Sequence, residues 1–345
     1  MNIVIMAGGR GTRFWPRSTA SMPKQFLPFH SDRTLIQETA ARFLKLVPGS
    51  RLYAAVPDRY LPLLARQLPD MPPNQYIIEP EQKDTAACMA LAALRFLDQG
   101  DDSPLVFVPS DQYVSDERAF LAAIEQAAAA ACLDDAIVTL GIEPDRPETG
   151  FGYLRTLDKS SDMAKNMPQG VLRVVQFLEK PDAGRAAELI RESGIYWNSG
   201  IFVWRPSTIA SSLQRYQPQL WNILRSHPHD AAAAYAQMPA LSIDYAVMEQ
   251  AQSIYCIPVR CGWDDIGSWA ALERHLTPDS SGNIRHGEEP IVLPNATGNT
   301  VFADRQALIV GVHDLIIVST PHGLLVCPKA EEAKLKTWLT HIRGE

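Results

Sequence analysis

Gly8, Gly9 and Gly11 break off the apolar run Ile3-Val4-Ile5-Met6-Ala7, and Thr12, Arg13 and, further on, Lys24 follow them. A glycine-rich turn lets bare backbone N–H groups approach an anion, and a guanidinium and an ammonium can neutralise it. The chemistry implied is phosphate binding. The other reading of the glycines is an ordinary strand–helix turn with surface cations. Pro23-Lys24-Gln25-Phe26-Leu27 favours the phosphate, because a lysine set between a proline and an apolar pair is no ordinary solvated tail. The spacing is not that of a P-loop, since no Gly-Lys-Ser/Thr follows. Nor is it the dinucleotide fingerprint, since Phe14 stands where its third glycine would be.

Carboxylates and amides elsewhere could complete such a site. Asp111, in Pro109-Ser110-Asp111 directly after the apolar run Leu105–Val108, suits either a Mg²⁺ ligand or the N-cap of a following helix. Asp265, in Gly262-Trp263-Asp264-Asp265-Ile266-Gly267-Ser268-Trp269, is the second metal candidate, with Asp264 a solvated or capping neighbour. Mg²⁺ takes one or two carboxylates and completes its shell with phosphate oxygens and water, so two distant aspartates at tight turns meet its needs. Gly150 and Gly152 around Phe151, with Tyr153 behind, suit a backbone closing over a sugar, or simply soften the start of a strand. Glu179-Lys180-Pro181 puts opposite charges side by side at a strand end; as an exposed pair they would contribute under about 1 kcal/mol. The amide of Asn198 can both donate to and accept from a hydroxyl, although asparagine is also common in turns. Ser242-Ile243-Asp244 reads as a helix start capped by Ser242 or Asp244.

These residues need a frame. Strand-like runs at Ile3–Met6, Leu52–Val56, Tyr76–Ile78, Leu105–Val108 and Ala136–Gly141 alternate with helical patterns over Thr34–Leu46, Leu61–Leu68, Thr85–Gln99 and Glu117–Cys132. Alternation of this kind predicts a Rossmann-like α/β fold with a mostly parallel sheet flanked by helices. Ligands of such sheets bind beyond the carboxyl ends of the strands, which would turn Asp111 toward the crevice of the glycine loop. From Gly150 to Trp204 the pattern becomes strand-rich, with Val171–Leu178 and Gly200–Trp204, and Asp158–Gly170 reads as an exposed hairpin tip or mobile loop. Ala231–Ala234 reads as part of a surface helix. Short strands at Val301–Phe302, Ala307–Val310, Leu315–Ser319 and Gly323–Cys327 and a closing helix at Ala330–Arg343 suggest a small C-terminal β domain, roughly one turn of a β-solenoid. The expected division is 1–283 and 284–345.

Composition narrows the class. A chain of 345 residues with 46% hydrophobic and 21% charged residues is an ordinary globular composition. A net charge of −7 argues against non-specific nucleic-acid binding, which needs a basic face. The 5 cysteines form no Cys-x-x-Cys pair, as expected of buried thiols in a reducing cytosol. No basic leader or membrane-length apolar run is evident, so a cytoplasmic protein without membrane partners is expected. The apolar C-terminal strands and helix suit either a homodimer contact or packing on the chain's own main domain.

With these motifs assembled, the chain resembles the sugar-phosphate nucleotidylyltransferases, whose signature Gly-Gly-x-Gly-Thr-Arg-Leu-x-Pro is followed by Pro-Lys. Trp15-Pro16 and Pro23-Lys24-Gln25-Phe26 are similar to the mannose-1-phosphate guanylyltransferase branch, with Phe14 in place of the usual leucine. The resemblance runs from residue 3 to about 283 and implies the nucleotide-diphospho-sugar transferase type of fold. It implies Mg²⁺-dependent transfer from GTP to mannose 1-phosphate, giving GDP-mannose and pyrophosphate. In that pattern Ala7, Gly8, Gly9, Gly11, Thr12, Arg13, Glu79, Asp84, Thr85 and Ser110 bind the nucleotide. Gly150, Tyr153, Glu179, Lys180, Asn198 and Asp244 bind the sugar phosphate, Asp111 and Asp265 hold the metal, and Arg13, Lys24 and Lys180 serve the transfer. The fused isomerase domain of longer relatives is not expected here.

Two departures bear on specificity. Lys83-Asp84-Thr85 stands where the family has Arg-Asn-Thr, near the nucleobase, and Gln112 stands where Pro-Ser-Asp is usually followed by histidine. Losing the planar fork of an arginine and exchanging an amide for a carboxylate could keep guanine selection or shift it. The open alternatives are another sugar 1-phosphate or base, or a catalytically idle relative that binds a nucleotide sugar.

Overall fold

The computed structural model describes residues 1–9, 11–133, 135–157, 168–335 and 337–339. They form two compact units: Met1–Gly8 with Ile36–Trp263, and Gly9–Leu35 with Asp264–Glu345. The expected boundary at 283/284 therefore does not coincide with the contact units. Residues 9–35 and 264–283 group with the C-terminal strands instead.

The larger unit is built on a 9-stranded sheet. Its strands are β1 (Asn2–Met6), β2 (Leu52–Pro57), β3 (Tyr76–Glu79), β4 (Leu105–Pro109), β6 (Ile137–Ile142), β7 (Tyr153–Thr156), β8 (Leu172–Leu178), β9 (Ile195–Trp204) and β10 (Ile254–Val259). The two-residue β5 (Tyr113–Val114) and β11 (Trp263–Asp264) lie outside that sheet. The order is β3-β2-β1-β4-β9-β6-β10-β8-β7. β1 pairs in parallel with β2 and β4, β2 with β3, and β6 with β10. β9 runs antiparallel between β4 and β6, and β8 runs antiparallel to β10 and β7. Only β8 and β9 thus oppose the common direction, so the sheet is mixed, as expected, and most of its strands run one way although the pairings are no more often parallel than antiparallel.

Burial explains the strand residues. Ile3, Val4 and Ile5 are wholly buried, so β1 is covered on both faces and reads as continuous aliphatic sequence. Along the chain, α1 (Leu35–Phe43) separates β1 from β2, and α2 (Leu61–Gln67) separates β2 from β3. Helix α3 (Asp84–Asp98) buries Ala86, Ala87, Ala90 and Ala93, small residues that let it approach the sheet closely. Helix α4 (Glu117–Ala130) is capped by Asp116, whose carboxylate accepts from Ala119 N at 2.9 Å. Asp111 is therefore not the cap of that helix. The expected surface helix at Ala231–Ala234 exists as Ala231–Gln237, but Ala234 and Tyr235 are buried in the main core. Sequence patterning missed β10, whose Pro258 obscured a strand otherwise rich in β-branched and aromatic residues. Residues 158–167 of the expected loop Asp158–Gly170 lie outside the described residues.

The smaller unit contains a parallel β-coil. Strands β12 (Ile284–His286), β14 (Thr300–Ala303) and β16 (Leu315–Thr320) stack in parallel, β13 (Ile291–Val292) pairs with β15 (Ala307–Leu308), and β17 (Gly323–Pro328) closes the stack antiparallel to β16. Asn283 and Asn299 hold successive rungs: Asn299 N and Nδ2 donate to Asn283 Oδ1 at 3.0 and 3.1 Å. Asn299 Oδ1 in turn accepts from Leu315 N at 3.0 Å. Gly282, Gly298 and Asp314 have φ of 72°, 68° and 53°, so each rung turns through a left-handed residue. The coil extends beyond the single turn expected, and its repeat is carried in the sequence by the paired Gly-Asn at 282–283 and 298–299. Of the expected closing helix Ala330–Arg343, a 3₁₀ segment at Lys329–Lys334 and residues 335 and 337–339 are described; the rest lies outside the described residues. Among the described residues no helix is long and apolar enough to cross a membrane.

Candidate functional site

In the larger unit the carboxyl edge of the parallel strands collects several of the expected nucleotide residues. Ala7 N donates to Ala55 O at 2.8 Å as the chain leaves β1, and Ser110 N donates to Met6 O at 3.2 Å as it leaves β4. Gly8 O accepts from Gln82 Nε2 at 2.6 Å, and a Cβ on Gly8 would lie 3.6 Å from Glu79 Oε2. Glu79 ends β3 and is buried, and Tyr235 Oη donates to its Oε1 at 3.3 Å. Burial pushes the Glu79 carboxyl up to about 7, against the hydrogen bonds from Tyr235 and Cys88. Sequence patterning singled out neither Tyr235, Cys88 nor Gln82, because each lies in a helix or loop whose packing partner is remote in the chain.

Asp84 begins α3 with φ 66°, and its Oδ1 accepts from Thr85 N at 2.8 Å. Thr85 Oγ1 accepts from Ile243 N at 2.8 Å, while Leu241 N donates to Lys83 O at 3.2 Å and Ala86 N to Leu241 O at 3.1 Å. Residues 83–86 are thereby stitched to 241–243. The segment after that stitch is a π-helical turn, Asp244–Met248, and of the two expected caps Ser242 serves, its Oγ accepting from Tyr245 N at 3.4 Å.

That turn carries Asp244 into a second cluster. Asn198 Nδ2 donates to Asp244 Oδ1 at 3.1 Å, and Asn198 Oδ1 accepts from Thr139 Oγ1 at 3.1 Å and Gly200 N at 3.2 Å. Burial pushes Asp244 up to about 7, Glu179 adds to the effect, and Lys180 opposes it. Lys180, with φ 43°, forms an ion pair with Glu179, whose side chain is buried. Burial alone would lower the Lys180 pKa; the bond to Glu179 and the charge of Asp244 raise it instead. A Cβ on Gly152 would lie 2.7 Å from Glu179 Oε2, so a larger residue there would displace the Glu179 carboxylate. Gly152 O accepts from Asn198 N at 2.8 Å. Gly150 N donates to Glu148 Oε1 at 3.1 Å. Tyr153 is fully buried, and its hydroxyl donates to Glu148 O at 2.8 Å, tying the loop to its own strand. Glu179, Lys180, Asn198 and Asp244 thus gather as one ammonium, two carboxylates and an amide, a set able to meet a phosphate and several hydroxyls.

In the smaller unit the glycine loop, Lys24 and Asp265 come together. Gly11 has φ 58° and precedes the 3₁₀ turn Thr12–Phe14. Gln25 Nε2 donates to Gly9 O at 3.0 Å, and Arg13 Nη1 donates to Gly267 O at 3.0 Å. Lys24 is buried; its Nζ donates to Asp265 O at 2.9 Å and stands 5.4 Å from the centroid of the Phe14 ring. Asp265 Oδ1 accepts from Gly267 N at 2.8 Å. Of the two roles expected for Asp264, solvated or capping, it takes the capping one: it is buried, its Oδ1 accepts from Ile266 N at 3.2 Å, and its Oδ2 forms an ion pair with Arg274 at 2.6 Å and accepts from His275 Nε2 at 3.2 Å. Burial would raise its pKa, but hydrogen bonds from His275 and Arg274 hold it below the ordinary aspartate value.

Asp111 is half-buried one residue beyond Ser110, whose carbonyl accepts from Thr39 Oγ1 at 3.3 Å. Among the described residues no group of three or more His, Cys, Asp or Glu side chains is arranged to hold a metal ion. Asp111 and Asp265 are each a hard oxygen donor of the kind Mg²⁺ takes when phosphates and water complete its shell.

Comparison with known proteins gives consistent matches. The family model described as Nucleotidyl transferase matches residues 2–279. The mannose-1-phosphate guanylyltransferase of Salmonella muenchen is 33% identical over 356 residues, spanning 99% of this chain and 73% of that protein. The xanthan biosynthesis protein XanB of Xanthomonas campestris pv. campestris is 32% identical over 352 residues, with 99% and 73% covered. A solved structure from Thermus thermophilus, described as a mannose-1-phosphate geranyltransferase, aligns with a TM-score of 0.89 at 34% identity over 99% of both chains.

Proposed function

The chain belongs to the nucleotidyl transferase family and has the mixed α/β fold of nucleotide-diphospho-sugar transferases, and from that we propose that it transfers a guanylyl group from GTP to α-D-mannose 1-phosphate. A phosphate oxygen of the sugar phosphate forms a bond to the α-phosphorus of GTP. The bond from that phosphorus to the bridging oxygen breaks, and pyrophosphate leaves with the electron pair. No covalent protein intermediate is required, so the protein's part is positioning and charge neutralisation.

The observation that carries this reading is the gathering of Lys180, Glu179, Asn198 and Asp244, an anion-binding ammonium beside three hydroxyl-reading groups. In the proposal Lys180 orients the sugar phosphate. Glu179, Asn198 and Asp244 read the sugar, with Gly150 and Tyr153 shaping the loop over it. Ala7, Gly8, Gly9, Gly11, Thr12 and Ser110 approach the nucleotide, and Glu79, Asp84 and Thr85 face the base. Arg13 and Lys24 neutralise the triphosphate and the departing pyrophosphate. Asp111 and Asp265 are each assigned as carboxylate ligands of Mg²⁺, which when bound offsets phosphate charge. The relatives named for this activity support the choice of mannose 1-phosphate and GTP.

The test is pyrophosphate release across GTP, ATP, UTP and dTTP, each with mannose 1-phosphate and with glucose 1-phosphate. The expected signal is strongest with GTP and mannose 1-phosphate and vanishes on chelation of Mg²⁺. Turnover with another pair alone would refute the guanylyl assignment. No turnover with any pair would favour an idle nucleotide-sugar binder.

A further inference from the structure

Gln112 is buried, and its side-chain amide is engaged at both ends within the larger unit. Its Nε2 donates to Ser199 O at 2.6 Å, and its Oε1 accepts from Trp263 Nε1 at 2.9 Å. Both partners matter to the proposed site. Ser199 follows Asn198 within β9, at an irregularity of its pairing with β6 that includes Gly200 with φ 71°. Trp263 packs edge-on against Phe151 with ring centroids 5.3 Å apart, and Phe151 packs likewise on Trp197 at 5.2 Å. On its other side, Asp111 is preceded by Ser110, held by Met6 and Thr39. The backbone carrying Asp111 is therefore fixed from both directions, by β1 before it and by Gln112 after it.

We infer that Gln112 is a positioning residue that fixes the backbone of Asp111 relative to the Asn198 segment of β9. The chemistry requires one donor and one acceptor in a fixed orientation, because Ser199 O can only accept and Trp263 Nε1–H can only donate. An amide satisfies both, and so does a neutral imidazole; an aliphatic side chain satisfies neither and leaves two buried polar groups unpaired. This inference rests on the proposed assignment of Asp111 to Mg²⁺.

The experiment compares wild type, Gln112→Leu and Gln112→His at one pH of about 8, where a histidine side chain is mainly neutral. GDP-mannose affinity is measured by calorimetry in EDTA and again in Mg²⁺, alongside kcat and KM with whichever nucleotide and sugar phosphate the wild type turns over. Gln112→Leu is expected to keep the EDTA affinity within twofold and to lose about tenfold of the Mg²⁺-dependent gain. Its kcat should fall roughly 10- to 100-fold with KM little changed, as expected for a misplacement near 1 Å. Gln112→His should recover most of both losses. Loss of EDTA affinity in parallel would mean general damage to the fold and overturn the inference. So would an unchanged Mg²⁺-dependent gain in Gln112→Leu, or a histidine variant no better than leucine. Failure of the function proposal would show separately, as a wild type without turnover on any pair.

Discussion

Replacing Gly11 by alanine tests whether the glycine loop is shaped by a close approach to Lys24. Two costs follow from the structure. The φ of 58° puts an L-residue in the left-handed region, at about 1–2 kcal/mol. The new Cβ would lie 2.5 Å from Lys24 Cβ and 2.9 Å from Lys24 N, so backbone has to move as well as side chain. Reaching an ordinary contact at 3.4 Å needs a shift of about 0.9 Å, the difference between 3.4 and 2.5 Å. With that contact strain added, the total destabilisation is roughly 2–4 kcal/mol. At about 2.1 cal/mol/K per residue over 345 residues, the melting entropy is about 0.7 kcal/mol/K, and Tm should fall by roughly 3–6 °C. A shift near 1 Å in Lys24 should cost turnover on the order of 100-fold. Gly9→Ala is the control for the thermal transition alone, because nothing lies within 4 Å of its Cβ and its φ is not in the left-handed region. Differential scanning calorimetry and pyrophosphate release measure both quantities. A Gly11→Ala protein with Tm within 1 °C and turnover within threefold of wild type would refute the reasoning.

Three further predictions concern other parts of the molecule. Glu79→Gln should stabilise the protein at pH 8 and give no gain at pH 4. The folded carboxyl, raised to about 7, contributes stability that is complete below its ordinary value of 4.5 and lost as pH rises through 7. The gain is on the order of 3 kcal/mol, for a rise from 4.5 to about 7, read as the difference in Tm between the two proteins across pH. Asp265→Asn should cut turnover by more than about 100-fold while the thermal transition stays within a few degrees; near-normal turnover would remove Asp265 from the proposed metal site. Asn299→Ala breaks the bonds to Asn283, Val312 and Leu315 and should lower stability by about 2–4 kcal/mol. Denaturant unfolding measures that loss, and an unchanged midpoint would show that the asparagine ladder does not hold the rungs.

Much of the frame was legible because it is written locally. The aliphatic runs of β1 and β4 and the alanine-rich faces of α3 and α4 have periods and lengths that burial in a sheet between helices dictates. The glycine loop was equally plain, since chain sterics make left-handed turns a property of residue type. The C-terminal repeat was less so. Its rungs share only Gly-Asn pairs and turn geometry, and their aliphatic positions need only be apolar. The strand β10 escaped because Pro258 interrupts its otherwise strand-like run, and pairing with β6 and β8 holds it in the sheet all the same.

Sequence alone determined the residue types that can meet phosphates, hydroxyls and a hard cation, because charge and hydrogen-bonding capacity belong to the side chain itself. Only the tertiary structure decided what surrounds each of them. It turned adjacent aspartates to different ends, with Asp264 buried against Arg274 and His275 while Asp265 shapes the turn that receives Lys24. It joined Glu79 to Tyr235 and Cys88, and Gln112 to Ser199 and Trp263, across long stretches of chain. Desolvation and hydrogen-bond geometry depend on neighbours brought together by folding, and no local pattern specifies which neighbours those will be.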